Sequence, residues 1–307
     1  MRLIRGLSHL ESFKNGCVLT IGNFDGLHLG HLKVIDGCLS TSKTNQLKTC
    51  VISFSNHPAD HFTGKRNELL MPMQEKIDAI ENQGIDYLVI IPFDAYIVEL
   101  PAKNFIQEHL IGRLKAEKVV LGYDNHFGKN REGSISFINE HFGDVLETIA
   151  IDVAKVNEVI VSSSQIKKYL SEGDITKANA MLGLPFSVSG IVVHGNQNGR
   201  KIGFPTANMA LKADNKFIPQ LGVYLCQVKI EAGLFFGLTN MGYRPTLNKD
   251  DGIHIETHLL DFDGELYGQK IEIQFIEKIR SEKRFDSFED LKNQIAADLA
   301  WARMYLA

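Results

Sequence analysis

Apolar residues in the first half of the chain come in short continuous runs, separated by segments of helical periodicity. Cys17-Val18-Leu19-Thr20-Ile21, Thr49 to Phe54, Asp86 to Ile91, Lys118 to Gly122 and Val145 to Ile151 read as buried strands. Between them, Pro72 starts a helix in its favoured first-turn position, and Gln74 to Gln83 puts Ile77 and Ile80 on one face, with Gly84 as its stop. Pro101 to Leu114 reads as a helix with Phe105, Ile106 and Leu110 inward. Strands alternating with helices predict a parallel, Rossmann-like α/β sheet covered on both faces, with ligands at the carboxyl ends of its strands. Two shorter helices follow, Ser163 to Ser171 and Asp174 to Leu182, and Gly183-Leu184-Pro185 ends them. The period then changes from helical to alternating. Residues 186–193, 223–230, 234–239, 254–260 and 271–275 read as strands of a small barrel or sandwich. Phe288, Leu291, Ile295, Leu299, Ala302 and Leu306 form the stripe of a closing helix that Ser287 caps. The change of period predicts two domains, 1–184 and 185–307.

Composition narrows the class. The 307 residues carry a formal net charge of -4, with 44% hydrophobic and 23% charged residues, which is ordinary for a globular protein. No bulk basic field points to nucleic acid, so an anionic substrate must be held by local donors. The longest apolar runs, such as Tyr87-Leu88-Val89-Ile90-Ile91, are too short to span a bilayer, and Met1-Arg2-Leu3-Ile4-Arg5 shows no signal-peptide pattern. Cys17, Cys38, Cys50 and Cys226 are scattered without a Cys-x-x-Cys pair. Reduced thiols in a cytoplasmic protein are the expectation.

The candidate chemistry begins at Gly22-Asn23-Phe24-Asp25-Gly26-Leu27-His28-Leu29-Gly30-His31, a strand-to-helix turn. Its glycines let a ligand approach the backbone, and the free N–H groups of the following helix attract anions. His28 and His31, three residues apart, share a face of the first helical turn. Backbone donors, a helix terminus and two imidazoles suit a triphosphate, although a structural turn with surface histidines has the same local pattern. The spacing is not that of a P-loop, and no Cys or third His stands nearby to make a zinc site. Asn56-His57-Pro58 and Gly122-Tyr123-Asp124 also follow strands, so all three stretches can face one crevice. Ser162-Ser163-Ser164-Gln165-Ile166-Lys167 opens a helix, where serines cap and, with a lysine, can also bind phosphate.

In the second half, Gly199-Arg200-Lys201-Ile202-Gly203-Phe204-Pro205-Thr206-Ala207-Asn208 combines glycines and two cations. Thr206 and Asn208 point the same way in an extended chain, and their oxygens suit a hard cation such as Mg²⁺. A β-turn with a satisfied Asn is the other reading. Glu256 lies in the alternating stretch Ile253-His254-Ile255-Glu256-Thr257-His258, either as part of a solvated strand face or as a carboxylate able to accept the proton of an alcohol.

The ten residues 22–31 resemble the His-x-Gly-His signature of nucleotidyltransferases, in the form found in FAD synthetases. The loop Gly122 to Gly133 resembles the flavin loop of the same family, with Asn125 and His126 departing from its pattern, and Ser163-Ser164-x-Ile-Lys167 is similar to its second motif. Pro205-Thr206-Ala207-Asn208 resembles the riboflavin kinase signature, and Gly222-Val223-Tyr224, Asn240 to Thr246, Glu256 to Phe262 and Leu266-Tyr267-Gly268 continue that resemblance in order. It covers almost the whole chain. It implies a nucleotidyltransferase domain followed by a six-stranded antiparallel β-barrel with a C-terminal helix. The activities implied are phosphorylation of riboflavin to FMN by ATP, releasing ADP, and adenylylation of FMN to FAD, releasing pyrophosphate. Implied catalytic residues are Glu256, His28 and His31. Nucleotide contacts fall to Gly22, Asn23, Phe24, Asp25, Gly26, Gly30, Ser163, Ser164, Lys167, Gly199 and Arg200, a flavin contact to Asp124, and Mg²⁺ to Thr206 and Asn208. Two other classes stay open: a single-activity nucleotidyltransferase with a non-catalytic flavin-binding domain, and a flavin-binding regulator.

Overall fold

Why the first motif lies at a crevice follows from strand order. In a computed structural model of the chain, which describes residues 1–10, 12–195, 199, 203–213, 215–243 and 252–307, contacts divide the protein into two units, Met1–Ser163 and Ser164–Ala307. The first unit holds β1 (Arg2–Arg5), β2 (Cys17–Ile21), β3 (Lys48–Phe54), β4 (Tyr87–Ile91), β5 (Ala116–Gly122) and β6 (Glu147–Ile151). These pair in parallel in the order β1-β4-β3-β2-β5-β6. From β2 the chain moves outward through β3 and β4, then crosses back to β5 and β6 on the other side. The carboxyl ends of β2 and β5 therefore flank a topological switch point, where open α/β sheets bind ligands.

Both faces of this sheet are covered. Leu19, Ile21, Ile52, Val119 and Leu121 pack with Ile106 and Leu110 on one side. Val51, Leu88 and Ile90 pack with Ile35, Ile77 and Ile80 on the other. The helices are α1 (Leu29–Asn45), α2 (Pro58–Thr63), α3 (Met73–Asn82), α4 (Ala95–Glu99) and α5 (Ile135–Phe142). A two-stranded hairpin, β7 (Lys155–Val156) and β8 (Val159–Ile160), closes the unit.

Three features differ from the sequence expectation. The edge strand β1 is additional; it is short, and its exposed ends are arginines. The segment expected as one helix over 101–114 is α-helical only at Ala102–Asn104 and continues as a π-helix, Phe105–Arg113. There Leu114 N–H reaches the carbonyl of His109 at 2.9 Å, and His109 is buried beside Phe105, Ile106 and Leu110. Pro72 is the N-cap of α3 rather than its first helical residue.

In the second unit, β9 (Ser187–Val193), β10 (Ala207–Leu211), β11 (Gly222–Ile230), β12 (Gly233–Tyr243), β13 (Ile253–Leu259) and β14 (Lys270–Ser281) close into an antiparallel barrel ordered β10-β13-β12-β11-β14-β9. The helices of this half are α6 (Ser163–Glu172), α7 (Ile175–Leu182) and α8 (Phe288–Leu306). Asn179 fastens α7 to the barrel: its Nδ2 donates to the Phe275 carbonyl at 2.8 Å and its Oδ1 accepts from Phe186 N–H at 2.7 Å. The division between units thus falls ahead of α7, while the change of periodicity falls after it. α8 is bound to β14 by Arg280 and Asp298, with Arg280 Nη2 2.9 Å from Asp298 Oδ2.

Candidate functional site

The turn after β2 carries backbone strain. Phe24 and Leu27 hold φ of 52° and 40°, in the left-handed region that non-glycine residues avoid, and Gly26 holds 83°. Several bonds fix this conformation. The Asn23 carbonyl accepts from Lys76 Nζ at 2.7 Å and from Ser53 Oγ at 3.1 Å. Asp25 Oδ1 accepts from Met71 N–H at 3.0 Å, and the Asp25 carbonyl accepts from Ser163 Oγ at 2.9 Å. Phe24 is buried in the core beneath the turn.

His28 is the N-cap of α1, and its Nδ1 accepts the N–H of His31 at 3.4 Å. That bond puts the imidazole proton on Nε2, leaving Nε2–H as a donor. The His28 and His31 rings stack at 3.6 Å, and His31 also meets the Phe24 ring at 5.1 Å. Gly30 makes room for this: a methyl group there would lie 3.2 Å from the His28 ring. Burial pushes the His28 pKa from 6.5 down to about 4, against the opposing pull of its backbone hydrogen bond, Asp25 and Asp124. Burial, then the nearby His28 and Lys76 charges, hold His31 well below its usual value. Both rings are therefore neutral at pH 7, and His31 Nδ1 is buried with no hydrogen-bond partner among the described residues.

Beside the turn, a cavity of about 810 Å³ opens at the switch point. That lies within the size of small-molecule pockets, roughly 300–1,000 Å³. Ile21 to Asn23, Pro58 and residues 124–131 line it together, so the three loops that follow β2, β3 and β5 meet there. Its apolar wall comes from Phe54, Phe62, Phe93, Phe105 and Phe127. Phe54 and Phe93 meet edge to face at 5.3 Å, and Phe62, 70% exposed, stands at the rim. The loop over 122–133 is tied down: Asn125 Nδ2 donates to the Ile21 carbonyl at 2.7 Å, and Phe127 and Gly133 exchange backbone bonds at 3.0 and 2.9 Å. Asp124 lines this cavity. Ser164 and Lys167 lie on the first turns of α6, in the second unit.

On the barrel, Asn208 of β10 is the direct cross-strand partner of Glu256 on β13, and Asn240 of β12 is the partner of Glu256 on its other side. The three residues form a row on the outer face, because the alternating neighbours Ile255, Thr257 and Leu259 point into the barrel. Asn208 Oδ1 is buried without a hydrogen-bond partner among the described residues. Gly195 packs directly on this amide, since a methyl group there would lie 2.3 Å from Asn208 Nδ2. An unused amide oxygen two residues after Thr206 fits a hard cation, which prefers such oxygens and keeps several waters. Gly199 folds back on this segment, accepting Phe204 N–H at 2.8 Å. Arg200 lies outside the described residues.

Sequence reasoning missed Lys76 and most of the aromatic wall. Lys76 occupies the same face of α3 as Ile77 and Ile80, where a cation is out of place; that is the one signal that marked it. Phe54, Phe62, Phe93 and Phe105 come from a strand end, two helices and a loop, and no local pattern unites them.

Comparisons with known proteins agree with this layout. The FAD synthetase family profile matches residues 10–167 and the riboflavin kinase profile matches residues 182–306. The bifunctional riboflavin kinase/FMN adenylyltransferase of Haemophilus influenzae is 37% identical over 313 residues, covering 99% of each chain. The protein of the same name from Bacillus subtilis is 34% identical, over 94% of this chain and 92% of its own. A solved structure from Streptococcus pneumoniae, named as a macrolide-efflux protein, has a TM-score of 0.91 at 25% identity and 99% coverage of both chains. That name is that protein's alone, and among the described residues here no helix is long and apolar enough to cross a membrane. With both modules matched in order and relatives at 37% and 34% identity that cover almost the whole chain, the chain belongs to the bifunctional riboflavin kinase/FMN adenylyltransferase family.

Proposed function

We propose that the two chemistries of this bifunctional flavin-biosynthesis enzyme reside at the β2–α1 turn and on the β10–β13 face of the barrel. The observation that carries the first assignment is the stacked, neutral His28–His31 pair at the N-terminus of α1, beside an aromatic cavity at the switch point. The flavin ring of FMN enters the cavity between its phenylalanines, near Asp124. Its phosphate oxygen attacks the α-phosphorus of ATP; the new P–O bond forms as the bond to the β-phosphate breaks, and pyrophosphate leaves. That nucleophile is already ionised, so no strong base is required. His28 Nε2–H and the free N–H groups of α1 donate to the phosphates as charge builds on them. The turn residues Gly22 to Gly26 and Gly30, with Ser163, surround the nucleotide.

On the barrel, Glu256 accepts the proton of the riboflavin 5′-hydroxyl as its oxygen attacks the γ-phosphorus of a second ATP, and ADP leaves. Thr206 and Asn208 would hold Mg²⁺, which when bound neutralises charge on the ATP phosphates. Gly199 and Arg200 complete the nucleotide contacts. The functional boundary lies near residue 184. The four buried thiols, none in a disulfide, fit a cytoplasmic enzyme.

The test supplies FMN and Mg²⁺-ATP to the His28→Ala, His31→Ala double variant. Adenylylation should fall by about 10²–10³, while FMN formation from riboflavin stays unchanged. Normal FAD synthesis by the double variant would remove the histidines from the site.

A further inference from the structure

Lys76 is a buried cation beside the first site that the chemistry above does not use. Its side chain is 2% exposed, on a helix whose other inward residues are Ile77 and Ile80. Burying an ammonium group is expensive, and an apolar side chain of the same length would fill the space without that cost. The group it grips is specific. Nζ lies 2.7 Å from the Asn23 carbonyl, 3.3 Å from Ser53 Oγ and 3.4 Å from the Phe54 carbonyl, at the carboxyl ends of β2 and β3. Asn23 immediately precedes Phe24, the first left-handed residue of the turn. Phe24 in turn touches the His31 ring, which stacks on His28. A continuous chain of contacts therefore runs from Lys76 to both imidazoles.

We propose that Lys76 is a positioning residue for adenylyl transfer: it holds the Asn23 carbonyl and so keeps the strained turn in the geometry that aligns His31 and His28 with the nucleotide phosphates. Strained backbone persists only where its surroundings over-determine it. Lys76 and Ser53 both donate to that one carbonyl, and Lys76 makes the shorter bond. Burial lowers the Lys76 pKa to about 8, and the Asp25 carboxylate opposes that fall, so the ammonium form prevails at pH 7. The same positive charge helps to keep the neighbouring His31 neutral.

The inference rests on the placement of adenylyl transfer at His28 and His31. The double histidine variant tests that placement separately, because it removes the rings while leaving the Asn23 carbonyl held. The test of Lys76 compares the full-length protein with Lys76→Met, which keeps length and loses the donors, and with Ser53→Ala. For Lys76→Met, kcat for FMN adenylylation should fall between about tenfold and 10²-fold, the scale of a small misplacement of catalytic groups. KM for FMN should stay within about twofold and riboflavin phosphorylation should be unchanged. Ser53→Ala should lower kcat in the same direction by a smaller factor, because Lys76 still holds the carbonyl. A folded Lys76→Met protein with native adenylylation kcat, or one impaired only in KM for FMN, overturns the proposal. Should Lys76→Met fail to fold, Ser53→Ala decides: native kcat in that variant overturns it.

Discussion

His28 caps α1 and is proposed to donate to the phosphates, and replacing it with asparagine separates the two roles. As N-cap of α1, its Nδ1 accepts the His31 N–H. Asparagine is among the best N-caps and offers Oδ1 for the same bond, so stability at pH 8 should change by less than about 1 kcal/mol. What asparagine cannot do is titrate. His28 is 7% exposed, and burial carries its pKa from 6.5 down to about 4. The unfolded chain therefore takes up this proton before the folded chain does. The stability linked to it is fully present above pH 6.5 and is lost as pH falls toward 4. With 1.36 kcal/mol for each pKa unit, the loss is about 2 kcal/mol at pH 5 and about 3 kcal/mol near the acid limit. Hydrogen exchange of the β2 and β5 amides between pH 8 and pH 5, corrected for intrinsic rates, measures it in the full-length protein. The wild type should lose about 2 kcal/mol more than His28→Asn over that range, with His31 contributing its own acid loss to both. The variant should also adenylylate FMN about 10²-fold more slowly, having lost the Nε2–H donor. Parallel stability curves for the two proteins would refute the assignment of a buried, neutral His28.

Asn208→Ala should raise the Mg²⁺ concentration needed for half-maximal riboflavin phosphorylation, and its defect should soften at high Mg²⁺; an unchanged titration would contradict the metal role. Asp298→Ala leaves Arg280 without its partner on α8 and should destabilise the barrel unit by about 3–5 kcal/mol. Trp301, the single tryptophan and a neighbour on that helix, reports this by fluorescence during denaturation, and a change below 1 kcal/mol would show the pair to be dispensable. Asn179→Ala removes the acceptor for Phe186 N–H and the donor to Phe275, and should cost about 1–3 kcal/mol in the same assay. A neutral result there would mean that α7 is held by its apolar face alone.

The elements legible in the sequence are those whose burial is continuous or strictly periodic. The runs at β2, β3 and β4 stand out because they are covered on both faces; of the α8 stripe, Leu299 and Ala302 pack on the barrel while Phe288 and Leu306 are exposed. β1 was not legible: four residues bounded by arginines carry too little pattern. The π-helical turn at Phe105–Arg113 was hidden for another reason, since Phe105, Ile106 and Leu110 point inward in either helix type. At the first site, the local string gave the histidines and the turn, because chain neighbours become spatial neighbours there. The aromatic wall and Lys76 depend on loops brought together by the parallel sheet, which leaves no local trace. On the barrel, alternation put His254, Glu256 and His258 on one face, but the pairing of Glu256 with both Asn208 and Asn240 follows from register.

The proposed function gives one chain two independent sites, with His28 and His31 serving the second reaction and Glu256 the first. Its most direct test supplies riboflavin and Mg²⁺-ATP to three samples: the His28→Ala, His31→Ala double variant, the Glu256→Gln variant, and their mixture. The double variant should accumulate FMN and make almost no FAD, and Glu256→Gln should make neither at more than about 1% of the native rate. The mixture should make FAD, because FMN released by one protein feeds the other. FAD formation at the native rate by either variant alone, or a mixture of folded proteins that makes none, would contradict the account.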